Sequence, residues 1–285
     1  MEYKKIGNIT IPALGLGTWE IGGRFEPDKS LKRQWVETIK QAIEMGFTHI
    51  DTSEVYGNGL TEEIIGEAIS SFDRKKLLIT SKLWHTHLNY NGAIESLNGS
   101  LKRLKSDYVD FYLVHKPGTN MDIKQTMEAF EHMREQKLIR FIGLSNFSRQ
   151  QFLEAQKHLK KSKIMALQNE YNVLSRDEDA LELCDKQEMI FIAYRPLMKG
   201  KLAKPGIKLV DELAKKYKKT QAQIALNWLV SKPKIVAIPK ASTKEHLTNN
   251  LGSVGWKMDK DDYKSLDEIG QPIIHSMKRF LKRYI

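Results

Sequence analysis

The 285-residue sequence contains a single cysteine, Cys184, and no apolar run that approaches the length of a membrane span. One thiol excludes an intrachain disulfide, and a membrane-spanning helix needs about 18 or more consecutive apolar residues. No apolar stretch of the kind found in a secretory leader follows Met1. We therefore expect a cytoplasmic protein with no membrane partner.

The sequence also has fewer acidic than basic residues, with 35 Asp and Glu and 46 Lys and Arg, which gives a formal charge of +11. A positive excess is compatible with a nucleic acid, an anionic membrane or a small anionic ligand. The lysines are spread along nearly the whole chain, without a recognisable nucleic-acid-binding module or interleaved aromatic and basic residues. We expect no nucleic-acid partner and interpret most of the charge as solvated lysine.

Short β-branched runs alternate with amphipathic helical patterns, as in βα units on a parallel sheet. Eight strand-like runs occupy residues 14–18, 47–51, 77–82, 109–115, 139–145, 165–170, 189–194 and 235–239, and helical patterns between them include 31–45, 94–104, 126–136 and 221–230. Eight units favour an α/β fold of the (β/α)₈ TIM barrel type over a doubly wound sheet, which usually has fewer strands. We predict one domain over residues 1–285. Residues 3–6 and 9–11 flank Gly7-Asn8 and predict a hairpin that closes the bottom of the barrel.

Polar and aromatic residues follow the predicted strands at the end of the barrel where this fold places its catalytic groups. They are Thr18 and Trp19, Asp51 and Tyr56, Lys82 and Trp84, His115, Ser145 and Asn146, Gln168, Tyr194, and Lys240. Each alone has an ordinary structural interpretation, such as a turn cap for Asp51 or a core histidine for His115. Their convergence on the ends of successive strands favours a catalytic site.

These residues lie in segments that resemble the aldo-keto reductases over nearly the whole chain. The matching segments, in order, are 15–19 (Gly-Leu-Gly-Thr-Trp), 51–58 (Asp-Thr-Ser-Glu-Val-Tyr-Gly-Asn), 81–84 (Ser-Lys-Leu-Trp), 113–117 (Leu-Val-His-Lys-Pro), 143–147 (Gly-Leu-Ser-Asn-Phe), 168–170 (Gln-Asn-Glu) and 238–240 (Ile-Pro-Lys). The resemblance implies an NADP(H)-dependent oxidoreductase that interconverts small aldehydes or ketones and alcohols by hydride transfer. The sequence leaves open a second possibility, a cofactor-binding regulatory subunit on the same fold with little turnover.

The family's catalytic tetrad corresponds to Asp51, Tyr56, Lys82 and His115. Nicotinamide supplies a hydride, so the protein must supply a proton to the carbonyl oxygen. The resemblance implies that Tyr56 is this general acid, and a neighbouring Lys82 ammonium is expected to lower the pKa of the phenol. Asp51 is expected to keep the buried lysine charged, and His115 to orient and polarise the carbonyl.

By the same resemblance, Ser145, Asn146 and Gln168 are expected to bind the nicotinamide carboxamide, and Tyr194 to stack on the ring. Thr18 is expected to belong to the same set of cofactor contacts. Flat aromatic faces and amide side chains suit such a ring.

The phosphate end of the cofactor is expected after the eighth strand. Ser242 and Glu245 predict a capping box that opens a helix, and this would place Lys240, Ser242 and Thr243 near the phosphates. Asn250 is expected to face the adenine.

Two positions of this segment depart from the pattern of NADPH-selective relatives, which usually have arginine where His246 stands and glutamate where Asn249 stands. An arginine would clamp a phosphate with two hydrogen bonds, whereas a largely neutral imidazole does only part of that work. We therefore expect His246 to contact the cofactor, NADPH to be favoured and NADH to be used measurably.

The resemblance further implies that Trp19 and Trp84 wall an apolar substrate pocket. Lys116 replaces a tryptophan common in relatives, and the short loop that follows it predicts an open site with a permissive substrate range. His85-Thr86-His87 has no nearby carboxylate or cysteine, so we expect no metal. Residues 271–285 are expected to contribute to the pocket rim, and the protein is expected to be a monomer.

Overall fold

The computed structural model describes residues 1–119 and 121–269, and within them the chain forms ten strands. These are β1 (Tyr3–Ile6), β2 (Ile9–Pro12), β3 (Leu16–Gly17), β4 (His49–Asp51), β5 (Leu78–Leu83), β6 (Val109–Val114), β7 (Ile139–Ser145), β8 (Ile164–Glu170), β9 (Ile190–Tyr194) and β10 (Ile235–Ala237). Strands β3 to β10 form one parallel sheet in which each strand pairs with the next along the chain. All eight predicted runs are confirmed, with shifts only at their ends.

The sheet closes into a barrel because the chain around β3 also pairs with the chain around β10. Gly15 donates its N–H to the carbonyl of Ala237 at 2.9 Å, and Gly17 donates to Pro239 at 3.1 Å. A Cβ atom on Gly17 would lie 2.6 Å from the carbonyl oxygen of Ile238, so glycine permits this close approach. The predicted (β/α)₈ barrel is confirmed.

The amino-terminal hairpin closes the bottom of the barrel, as predicted. Strands β1 and β2 pair antiparallel, with Ile6 opposite Ile9. These two side chains are buried in one apolar cluster with Met165 and Ile190, which lie near the amino ends of β8 and β9. The hairpin therefore occupies the end of the barrel away from the predicted catalytic residues.

Helices cover the outside of the sheet. Those in the described residues are α1 (Lys32–Glu44), α2 (Leu60–Ile69), α3 (Tyr90–Leu104), α4 (Ile123–Glu135), α5 (Arg149–Lys157), α6 (Glu178–Lys186), α7 (Lys208–Tyr217), α8 (Gln221–Val230), α9 (Lys244–Leu251) and α10 (Lys260–Ile269). The predicted apolar face of α1 is buried through Trp35, Ile39 and Ile43, since residues three and four apart share one side of a helix. None of these helices is both long enough and apolar enough to cross a bilayer.

The predicted capping box at Ser242 is wrong by one residue. Helix α9 has Thr243 as its N-cap, whose Oγ1 accepts the N–H of His246 at 3.2 Å, and Glu245 falls at the second helical position. Thr243 has the extended backbone of an N-cap residue, with φ of −141° and ψ of 156°, and Ser242 lies in the loop before it. The rim contribution predicted for residues 271–285 lies outside the described residues.

Candidate active site

Lys82 is fully buried near the carboxyl end of β5 and joins two neighbouring segments. Its Nζ lies 2.6 Å from Oδ1 of Asp51, at the end of β4, and donates to the carbonyl of Thr52 at 2.7 Å. Burial acts to lower the pKa of Lys82, but the Asp51 carboxylate and the Tyr56 phenol outweigh it and the net pKa is raised. The structure therefore holds a charged ammonium inside the barrel rim, as expected for Asp51 beside Lys82.

A tight turn brings Tyr56 back to this ammonium. The turn needs Gly57, which has φ of 54°, and whose Cβ would lie 2.3 Å from the carbonyl oxygen of Gly22. The hydroxyl oxygen of Tyr56 lies 3.5 Å from Nζ of Lys82. Hydrogen bonds between catalytic groups often shorten from such a length in the transition-state complex.

The pKa of Tyr56 is raised above its usual value, whereas the sequence predicts that Lys82 lowers it. Burial is the largest cause, because a phenolate loses its hydration inside the rim, and Lys82 acts in the expected downward direction without cancelling this loss. Tyr56 is therefore a protonated hydroxyl at neutral pH. The proton is available to an oxygen atom that becomes strongly basic.

His115, directly after β6, lies beside the tyrosine, with their ring centroids 5.7 Å apart. Its pKa is held well below the usual histidine value, first by burial and then by the positive charges of Lys82 and Lys116. The ring is therefore neutral at neutral pH and carries a single N–H. Its Nδ1 lies 2.9 Å from Oγ of Ser53, a partner that the sequence reasoning missed.

Aromatic side chains form a wall beside Tyr56 and His115. The ring centroid of Trp19 lies 4.8 Å from that of Tyr56, and the ring of Trp84 lies 4.9 Å from that of His115. Phe25 lies between the two tryptophans, at 5.4 Å and 6.3 Å from them, and is 53% exposed. The sequence pattern did not predict Phe25 as part of this wall, because Phe25 lies in an irregular loop after β3. The one indication in the sequence is that an aromatic residue follows Trp19 within a few positions.

The residues expected at the nicotinamide end are brought to the same rim. Asn146 donates its Nδ2 to the carbonyl of His115 at 2.9 Å and to Oγ of Ser145 at 3.0 Å, and its Oδ1 accepts the hydroxyl of Tyr194 at 2.7 Å. The hydrogen bond to Asn146 fixes the orientation of the Tyr194 side chain at the end of β9. The side-chain N–H of Gln168 donates to Oδ2 of Asp51 at 2.6 Å, so the side-chain oxygen of Gln168 takes no part in this hydrogen bond.

Thr18 is fully buried and donates its hydroxyl to the carbonyl of Asp51 at 2.8 Å. The structure therefore shows it joining β3 to β4. Its predicted cofactor contact stays a prediction.

The residues expected at the phosphate end form a separate group after β10. Lys240 forms an ion pair with Oε2 of Glu20 at 2.9 Å, and the same carboxylate pairs with Arg24 at 2.8 Å. Glu20 is a second residue missed from the sequence, because its partner is 220 positions away. His246 is exposed on α9, whereas Asn250 is buried near the end of that helix.

The described residues hold no group of three or more His, Cys, Asp or Glu side chains suited to a metal ion. His87, part of the H-x-H pair, instead lies 2.9 Å from the hydroxyl of Ser96 and 3.3 Å from Glu54 through its Nδ1.

A sequence model of the Aldo/keto reductase family matches residues 13–271. The chain belongs to the aldo-keto reductase family. Among its relatives, methylglyoxal reductase YeaE of Escherichia coli (strain K12) is 32% identical over 276 residues, which cover 94% of this chain and 95% of the relative. The chain is an NAD(P)H-dependent oxidoreductase that interconverts small carbonyl compounds and alcohols.

Solved structures show the same family fold. A thermostable aldo-keto reductase in complex with the inhibitor epalrestat has a TM-score of 0.90 and 44% identity, covering 95% of this chain and 100% of that chain. An aldo-keto reductase from Klebsiella pneumoniae in complex with NADPH has a TM-score of 0.86 and 28% identity, covering 96% and 97% of the two chains.

The donors of this aldo-keto reductase fit such a dinucleotide. The Asn146 amide in contact with Tyr194 matches a flat ring that carries a carboxamide. At the other end, α9 begins three residues after Lys240 with Thr243 as its N-cap, and a helix N-terminus and a cation both favour an anion.

Proposed function

We propose that Tyr56 is the general acid of carbonyl reduction, with Lys82 and Asp51 as its electrostatic support. The observation that carries this is the chain of short contacts from Asp51 through the buried Lys82 to Tyr56, at 2.6 Å and 3.5 Å. Bound NADPH supplies a hydride to the carbonyl carbon. As negative charge develops on the carbonyl oxygen, Tyr56 gives up its proton and the ammonium stabilises the phenolate that results. A panel of aldehydes and ketones, followed by the absorbance of reduced nicotinamide and repeated with Tyr56→Phe, tests this role.

In this scheme His115 binds the carbonyl oxygen through a hydrogen bond from Nε2. Its neutral ring has one proton, and the partner on the other nitrogen decides where that proton sits. The Ser53 hydroxyl lies 2.9 Å from Nδ1 but 3.4 Å from its alternative acceptor, the carbonyl of Lys82. Donation to Nδ1 is the shorter contact, so it makes Nδ1 the acceptor and Nε2 the N–H donor.

Replacing Ser53 with alanine is expected to lower kcat/KM for carbonyl reduction about 5- to 10-fold, because one hydrogen bond of ~1 kcal/mol no longer selects the productive tautomer. Nitrogen chemical shifts of the His115 ring, recorded by NMR, should show Nε2–H in the parent and a mixture of tautomers in the variant. Ser81→Ala is the matched control: Ser81 is equally buried but bonds to Glu62, so the tautomer should stay as in the parent. An unchanged tautomer in Ser53→Ala would contradict the assignment.

We further propose that NADPH is preferred over NADH through Lys240, with measurable use of both. Its pair with Glu20 is partly exposed, with the lysine side chain 38% accessible, and such pairs contribute only about 0–1 kcal/mol. A phosphate group can therefore displace the carboxylate. The remaining contacts proposed for the phosphate and adenosine end are those of Ser242, Thr243, His246 and Asn250.

Lys240→Met is expected to weaken NADPH binding about 10- to 100-fold while changing NADH binding little, because a charge-assisted hydrogen bond contributes ~1.5–3 kcal/mol. Dissociation constants from fluorescence titration with each cofactor measure the effect. Glu20→Gln should act in the opposite direction, and Lys257→Met, which removes an exposed lysine elsewhere, serves as the charge control. Equal KM and kcat values with NADPH and NADH in the parent would count against Lys240 as the selector.

We also infer a cytoplasmic monomer. Its single thiol, Cys184, is buried, and burial raises the pKa of that thiol, so the protein neither needs nor favours disulfide chemistry. Light scattering after size exclusion should give the mass of one 32.9 kDa chain, and twice that mass would contradict the monomer.

A further inference from the structure

The residue after His115 is a lysine whose ammonium has no acidic partner among the described residues. Lys116 is half-buried, and its Nζ lies 4.7 Å from the centre of the Trp84 ring. No carboxylate oxygen in that part of the chain comes within ion-pair distance of this nitrogen. A cation over an aromatic face is stabilised only by ~0.5–2 kcal/mol, so the ring does not replace a counterion.

Three other cations at this rim have acidic partners. Arg24 and Lys240 share Glu20, and Arg195 lies 3.2 Å from Glu170. Lys116 differs from them, although it stands next to the catalytic histidine.

Glu54, which lies between Asp51 and Tyr56 in the sequence, does not neutralise the charge of Lys116 either. Oε1 of Glu54 accepts the backbone N–H of Trp84 at 2.6 Å and lies 3.3 Å from Nδ1 of His87. Glu54 therefore fixes the start of the loop that carries Trp84. Its carboxylate is engaged with backbone and imidazole instead of with Lys116.

The field of Lys116 reaches the reaction centre. The pKa of His115 is held well below the usual value first by burial, then by Lys82 and then by Lys116, and burial together with Lys116 lowers the pKa of the half-buried His85. The charge of Lys82 is compensated by Asp51 at 2.6 Å, whereas Lys116 has no carboxylate within ion-pair distance among the described residues. Lys116 is therefore an uncompensated charge beside His115, next to an apolar wall of Trp19, Phe25 and Trp84.

We propose that Lys116 binds an anionic group of the substrate, a carboxylate, so that the enzyme prefers carbonyl compounds that carry a negative charge beyond the reacting carbonyl. The partly dehydrated ammonium provides the charge, and the aromatic wall holds the apolar part of the same molecule. This inference rests on the proposed function, because it requires the carbonyl to lie between Tyr56 and His115. Lys116 is a specificity-determining residue in this proposal and takes no part in proton transfer.

The test compares the three isomers of carboxybenzaldehyde with their methyl esters, which differ in charge but keep the aldehyde and the ring. For at least one isomer, the parent should show a higher kcat/KM with the acid than with the ester. Lys116→Met should lower kcat/KM for that acid about tenfold, through KM, because a charge-assisted hydrogen bond is lost, and leave the ester within about twofold. Raised salt should reduce the parent's preference, because ions screen a partly exposed pair.

Two further variants separate charge from packing. Lys116→Arg should keep the preference for the acid, and Lys116→Glu should reverse it. Lys137→Met removes an exposed lysine that precedes β7 at the opposite end of the barrel, so it should change neither substrate.

Equal losses for acid and ester in Lys116→Met would show that the lysine only supports Trp84, and an absent acid preference in the parent would likewise overturn the proposal. Unsubstituted benzaldehyde reports on the proposed function separately. If the parent reduces benzaldehyde but does not distinguish acid from ester, the anion site is wrong and the reductase assignment stands. If benzaldehyde and both substrate series are all refused, the reaction assigned to Tyr56 fails as well.

Discussion

Tyr56→Phe is expected to reduce kcat for carbonyl reduction by about 10²–10⁴-fold while leaving NADPH affinity close to that of the parent. The variant removes one oxygen atom, the hydroxyl that lies 3.5 Å from Nζ of Lys82. Hydride addition would then leave a negatively charged oxygen without a positioned proton. Initial rates with a reactive aldehyde and a separate cofactor titration measure the two quantities.

The chain offers a matched control for this substitution. Tyr112 is a fully buried tyrosine of β6 whose hydroxyl has no hydrogen-bond partner in the part of the chain that is described. Tyr112→Phe removes the same atom from an equally buried ring, and since no bond is lost it should keep the parent's kcat. If Tyr56→Phe turned over as fast as Tyr112→Phe, Tyr56 would not be the acid.

The barrel, and the end of it at which the candidate site residues meet, could be predicted because both depend on local patterns. A strand buried on both faces appears as a short β-branched run, and eight such runs in alternation with helices allow few other folds. The carboxyl ends of parallel strands meet at one rim, so residues such as Asp51 and Lys82 could be placed together from strand order alone. The contact between them, at 2.6 Å, agrees with this expectation.

What could not be predicted depends on distances across loops and on solvation. The bond between Ser53 and His115 joins residues 62 positions apart, and neither residue type indicates the other. The upward pKa shift of Tyr56 follows from a balance between burial and the Lys82 charge. The sequence does not show how deeply the Tyr56 hydroxyl is buried, so the direction of this balance could not be predicted. The start of α9 differed by one residue because Ser242 and Thr243 are both suitable N-cap residues in the sequence, and only the backbone geometry shows that Thr243 accepts the N–H of His246.

The second large effect is expected on stability and concerns the buried pair. Asp51→Leu should destabilise the fold by about 3–5 kcal/mol, because it leaves the Lys82 ammonium in the barrel rim without a counterion. Without Asp51, burial would lower the pKa of Lys82 below its unfolded value of about 10.4. At pH values between these two pKa values, the unfolded chain binds more protons than the folded variant. The free energy of unfolding that the variant has lost should therefore become smaller as pH rises toward 10. Urea unfolding at several pH values measures this dependence.

The double variant Lys82→Met/Asp51→Leu separates the structural role of the pair from its catalytic role. Two apolar side chains in place of a buried ion pair are often neutral or stabilising, so the double variant should regain most of the lost free energy of unfolding. It should stay about 10²–10³-fold below the parent in kcat, as Lys82→Met alone does, since the charge that stabilises the Tyr56 phenolate is absent from both. A double variant as unstable as Asp51→Leu would show that other contacts of Asp51, such as the bond from Gln168, dominate. A Lys82→Met enzyme with the parent's kcat would remove the ammonium from the mechanism, because nothing else within hydrogen-bond distance of Tyr56 in residues 1–119 and 121–269 carries a positive charge.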